Sequence, residues 1–125
     1  MDKEKLEATL EVIKDAIEKE VTAGDIAGAT QKLLELSSLM GTAAECMKWA
    51  KKLILDAQGA AAKKHKDGGG NANTIKLMIE SEIAEELMIF LYADRLCAAL
   101  THVVDALRTT ISLYKSEMEK SKFQS

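Results

Sequence analysis

A chain of 125 residues with 47% hydrophobic and 30% charged residues is long enough for one domain with a real core and does not call for a second. Its net charge of −3 excludes a globally basic nucleic-acid binder, so any contact with nucleic acid has to come from a local patch. With aromatics at 4% and no proline, the core must be built from Leu, Ile, Met, Val and Ala, which suits packed helices better than a β-sandwich.

Met1-Asp-Lys-Glu-Lys5 opens straight into an amphipathic pattern, with no apolar signal core and no run near the eighteen residues a membrane span needs. The expectation is a cytoplasmic protein with no membrane contact. Leu6, Leu10, Ile13 and Ile17 form the first apolar stripe and predict a helix over about 4–21, ended by Thr22-Ala-Gly-Asp25. Asp25 is placed to cap a second helix, over 25–40, with Ile26, Ala29, Leu33, Leu36 or Ser37, and Met40 as its stripe. Gly41 then reads as a left-handed stop, and Thr42-Ala-Ala-Glu45 as a capping box that starts a third helix.

That third helix, over 43–65, has an unusually small face in Ala43, Cys46, Ala50, Ala57 and Ala61, which predicts a tightly packed seam frayed near residue 60 by Gly59. Cys46 and Cys97 have no second Cys or His at metal-ligand spacing and read as buried free thiols, in keeping with a reducing compartment. Residues 67–73, Asp-Gly-Gly-Gly-Asn-Ala-Asn, read as a flexible linker, after which Asn73 or Thr74 can cap a long last helix over 74–121. Its main stripe is read as Ile75, Met78, Ile79, Ile83, Leu87, Phe90, Cys97, Val104, Ile111, Tyr114 and Met118.

Unbroken, that helix would approach about 70 Å, longer than a domain of this size is wide, so it should project, break near its middle or pair with another copy. Leu77, Leu91, Leu96, Leu100, Val103, Leu107 and Leu113 lie off the main stripe. They leave more apolar surface than three shorter helices can cover. The expected architecture is an all-α bundle of three shorter helices on a very long C-terminal one, a single domain over 1–125 that forms a homo-oligomer.

Chemistry-bearing side chains gather on the second half of the long helix. Steps of three, four and seven bring Asp94, Thr101, Asp105, Arg108, Ser112 and Lys115 onto one stripe, with Arg95 and His102 on an adjoining line. Asp105 can pair with Arg108 or accept from His102. The stripe reads either as a solvated face or as a ligand site built from Arg95, His102, Asp105, Arg108, Ser112 and Lys115, where copies of Arg108 and Lys115 meet around an anion.

Arg95 and His102 are also similar in spacing to the Arg-x4–6-His pair of HEPN ribonucleases, a small all-helical family. The resemblance implies Arg95 stabilising a phosphate and His102 in acid–base chemistry. Leu96 stands where that family usually has a polar residue. Glu82, Glu85, Glu86 and Asp94 resemble half of the magnesium-binding pattern of MazG-like pyrophosphohydrolases; the later Glu-x-x-Asp is missing, so a solvated acidic face is expected. Neither His65 nor His102 has a Glu three residues before it, which leaves a di-iron site unsupported. No metal or other cofactor is expected.

Lys48, Lys51, Lys52 and the run Lys63-Lys-His-Lys66 form a basic side with Trp49 as its only ring, so nucleic acid is possible but not favoured. Met40, Met47, Met78, Met88 and Met118 read as adaptable core.

Residues 101–118, Thr-His-Val-Val-Asp-Ala-Leu-Arg-Thr-Thr-Ile-Ser-Leu-Tyr-Lys-Ser-Glu-Met, with Leu33-Leu-Glu-Leu-Ser-Ser-Leu-Met-Gly-Thr-Ala-Ala-Glu45, resemble small helical proteins of bacteriophage early or recombination gene blocks. The resemblance implies a viral accessory protein. The expected function is a non-catalytic, homo-oligomeric helical protein that binds a host protein or a nucleotide-like anion, as an anti-defence inhibitor or sponge. The alternatives are a recombination accessory that contacts DNA or a recombinase, and a ribonuclease using Arg95 and His102.

Overall fold

Three of the helices begin at a side chain that accepts from the backbone N–H three residues on. Asp2 accepts from Lys5 at 2.8 Å, Asp25 from Gly28 at 2.9 Å and Asn71 from Thr74 at 2.8 Å. The computed structural model describes residues 1–66 and 70–124, and its regular structure there is wholly α-helical: α1 Lys3–Glu18, α2 Ile26–His65, α3 Ala72–Glu82 and α4 Ala84–Gln124. Of the sequence-predicted linker 67–73, residues 67–69 lie outside the described residues, Asn71 caps α3 in place of Asn73 or Thr74, and Ala72 and Asn73 are already helical.

α1 stops three residues short of the expected end because α2 supplies partners for its last carbonyls. The Lys32 ammonium donates to the Ile17 carbonyl at 2.9 Å and to the Lys19 carbonyl at 2.7 Å. The turn that follows passes through Gly24 at φ +84°, a conformation that favours glycine.

The predicted break at Gly41–Thr42 is absent, and α2 runs unbroken for 40 residues. A helical Gly41 costs about 1 kcal/mol. Against that, Leu36, Ala43, Cys46 and Ala50 form one continuous stripe, each 3% exposed or less, which a break would throw out of register. Glu45 does not reach back to a cap; it accepts from the Trp49 indole one turn later, at 3.2 Å. The expected fraying near residue 60 is also absent, since α2 stays helical to His65 and Ala61 is buried.

The expected 74–121 helix does break, near its beginning rather than its middle. Ile83 leaves helical geometry at φ −96°, ψ 10°, while its N–H still reaches the Ile79 carbonyl at 3.1 Å and its own carbonyl accepts from Leu87 at 2.9 Å. The bend buries Ile83 and folds α3 over the end of α2, where the Glu82 carboxylate meets His65 at 2.6 Å and Lys64 at 3.3 Å.

α2 and α4 form an antiparallel pair: Glu82, just before α4, lies at the end of α2, while the Cys97 thiol donates to the Ala43 carbonyl at 3.4 Å. α1 seals one side of this pair with Leu6, Leu10 and Ile13, all 1% exposed or less. Tyr92 donates to Glu11 at 3.0 Å and Lys3 pairs with Glu85, so α1 runs parallel to α4.

The core stripe of α4 is Ile89, Ala93, Leu96, Leu100, Val104 and Ile111. Leu96 and Leu100, placed off the main stripe by periodicity, are therefore core, while Met78, Leu87, Tyr114 and Met118 are exposed. Periodicity places residues on a face; the neighbours decide which face is inside. Ala84–Lys122 is also long and apolar enough, by length and composition, to cross a membrane, contrary to the sequence reading, with Leu96, Leu100 and Val104 of that stretch buried in the bundle.

Candidate functional site

The six residues singled out from sequence, Arg95, His102, Asp105, Arg108, Ser112 and Lys115, all stand exposed on α4. They do not form one cluster. At about 100° per residue, Arg95 and His102 share an outer line pointing away from the bundle, with Asp105 beside His102, while Arg108, Ser112 and Lys115 lie toward the α2 side. Asp105 and Arg108 are brought together as a one-turn ion pair at 3.8 Å, both well exposed. Such a pair adds well under about 1 kcal/mol of stability and leaves the guanidinium free to turn elsewhere.

On the side of the α2–α4 seam away from α1 lies an open apolar groove of about 400 Å³, lined by Met40, Ala44 and Met47 from α2 and by Cys97, Leu100 and Thr101 from α4. Tyr92, which reaches α1, sits about 140° around α4 from Cys97, so the groove and α1 occupy opposite flanks of the helix. Cys97 and Thr101 also line a shallower depression with Asp94, Ala98, His102 and Asp105. Apolar groove and polar shelf are thus one continuous surface.

Burial pushes the thiols of Cys46 and Cys97 above their ordinary value, which keeps both protonated and poorly nucleophilic near neutrality. Both are free thiols, as the sequence suggested, but only Cys46 is buried; Cys97 is partly exposed on the groove wall, because it lies on the flank of α4 that α1 leaves open.

The carboxylates of the MazG-like comparison diverge. Glu82 pairs with His65 and Lys64, Glu85 pairs with Lys3 on α1, and Glu86 turns one oxygen into the bundle without a hydrogen-bond partner. Asp94 lies about halfway round α4 from Glu85. Among the described residues no three His, Cys, Asp or Glu side chains are grouped to hold a metal ion.

The lysine side of α2 is partly engaged: Lys48 and Lys52 lie 6.0 and 5.1 Å from the centre of the Trp49 ring, and Lys64 pairs with Glu82. Of the methionines read as core, Met47 packs against the core and also lines the groove with Met40, while Met78, Met88 and Met118 are 45–67% exposed. The groove was missed in the sequence because the false break at residue 41 hid the Met40, Ala44, Met47 line, whose steps of four and three are those of one helix face.

No protein-family model matches this chain, and comparison with curated proteins and with solved structures returns no match.

Proposed function

We propose that this protein acts by binding rather than catalysis, as a self-associating helical accessory protein of the bacteriophage type, with the outer line of α4 as its contact for an anionic, nucleotide-like ligand in the host cytoplasm. The observation that supports this reading is the layout of the polar side chains: from Arg95 to Lys115 they stand in solvent for about 30 Å along one rigid helix instead of converging on one reacting atom. The outer line Leu91, Arg95, His102, Ala106 and Thr109 carries two nitrogen donors, which suits an anion, and the neighbouring Asp105 carboxylate is paired with Arg108.

Calorimetric titration with mono- and cyclic nucleotides, inorganic phosphate and short RNA and DNA oligomers tests it. Binding of a nucleotide that Arg95→Ala weakens at least tenfold, with helicity unchanged, is the expected result. No binding by any of these anions would remove the ligand assignment. The parent protein is expected not to cleave RNA; metal-independent turnover lost in both Arg95→Ala and His102→Ala would replace binding with the ribonuclease reading.

A further inference from the structure

The groove between α2 and α4 is open along the flank that α1 does not cover, and its α4 edge carries charges in an order that complements itself. Asp94, Thr101 and Arg108 are spaced by seven residues and stay within about 40° of one another around the helix, so they share one face. Asp94 makes no ion pair among the described residues, and Arg108 is held only by its exposed contact with Asp105.

We propose that a second copy of this chain occupies the groove through a two-fold axis at Thr101, which sets α4 antiparallel to α4 of the other copy. This rests on the reading of the protein as self-associating and adds which surface the copies share. Such an axis places residues equally far before and after 101 opposite each other. Asp94 of each copy faces Arg108 of the other, giving two symmetric ion pairs. Leu87 faces Lys115, whose methylene stem can lie over it. A parallel in-register pairing would instead oppose Asp94 to Asp94 and Arg108 to Arg108, so the charge order selects the antiparallel arrangement.

The surface is also large enough. From Leu87 to Ser112 the strip runs about 38 Å, and two helices side by side are about 20 Å wide, which gives about 760 Å² per copy. A stable interface needs about 800 Å² per partner. Its apolar content is exposed now, with Met40 on the groove wall 36% and Leu87 at the end of the strip 40% accessible. The pairing leaves Arg95 on the outside, with His102 at the edge of the seam.

Light scattering and sedimentation equilibrium of the full chain, from micromolar to several hundred micromolar, are expected to give twice the 13.6 kDa chain mass. Asp94→Arg and Arg108→Asp each set like charges at both contacts, and each is expected to weaken the dimer at least tenfold at low salt. Combining the two swaps restores the opposite pairing and is expected to recover most of the affinity. Thr101→Glu, which puts two carboxylates on the axis, is expected to weaken it as well, and circular dichroism checks that all these exposed substitutions leave the helices intact. A monomeric parent at every concentration overturns the pairing together with self-association. A dimer indifferent to the single swaps, or not rescued by the double swap, overturns the pairing alone and leaves self-association through another face.

Discussion

Along α4, the first half and the second half live in different surroundings. Around Ile89 and Ala93 the helix is clasped by α1 on one flank, through Lys3–Glu85 and Glu11–Tyr92, and by α2 below it; past Val104 only α2 remains, and from Ser112 to Lys122 every residue is exposed. Two causes act together: residues 105–124 carry seven apolar side chains against fifteen in 84–104, and α1, with 16 residues, reaches only partway along a helix of 41. On the first half Ile89, Ala93, Leu96 and Leu100 are core while Leu87, Met88 and Leu91 stay exposed; past Val104 only Ile111 is buried among the described residues, and Leu113, Tyr114 and Met118 are surface that a partner can use.

The sharpest way to break this comparison is to cut the same side chain at both ends. Leu100→Ala is expected to lower unfolding free energy by about 2–5 kcal/mol, since Leu100 is 1% exposed in the hydrophobic core. Leu113→Ala, at a position 62% exposed, is expected to change it by less than about 0.5 kcal/mol in the monomer. Chemical denaturation of both variants measures the contrast, and equal losses would mean that the second half is packed as tightly as the first.

A smaller effect tests how α2 enters the bundle. Asp25→Ala removes the side chain that holds the Gly28 N–H and is expected to cost about 1 kcal/mol in the same measurement. The opposite sign is expected at Gly41, which is helical with nothing within 4 Å of an added Cβ: Gly41→Ala should stabilise by up to about 1 kcal/mol. A loss there would mean that the 40-residue helix bends or breaks at Gly41 in solution.

At the far end of the bundle, α3 has no buried residue of its own and is held through Ile83 and Glu82. The hydrogen bond from His65, with Lys64 beside it, holds the Glu82 carboxyl below its ordinary value. A carboxylate depressed in the native state contributes stability that is present above the ordinary glutamate value of 4.5 and is lost as pH falls through the lower native value. The protection of α3 amides, corrected for the slower intrinsic exchange in acid, should therefore fall well before that of Leu100 does, and Glu82→Gln should abolish that pH dependence. Matching exchange of the two sites at every pH would make α3 part of the same cooperative unit. The smallest effect concerns the thiols: alkylation of Cys46 should track global unfolding, because it is fully buried with a raised pKa, whereas half-buried Cys97 on the groove should react faster.

Much of this was legible in the residues themselves. The helical class, the 3.6-residue stripe of α1, the cap at Asp25 and the small seam of Ala43, Cys46 and Ala50 follow from local spacing and composition, because helix formation and capping are decided within a few residues. The six polar residues on α4 could be found for the same reason, since steps of three, four and seven on one helix need no knowledge of its neighbours. What the sequence could not decide is everything that depends on which surfaces meet. Gly41–Thr42 carries the local chemistry of a helix boundary and stays helical because Leu36 and Cys46 are buried on one continuous face. The residues around Ile83 carry no breaker, yet the chain bends there to fold α3 over the end of α2, where Glu82 meets His65. Leu96 and Leu100 exchanged places with Leu87 and Met118 because burial is a property of the α2–α4 packing, and the open groove exists only because α1 covers one flank of that pair and is too short and too committed there to cover the other.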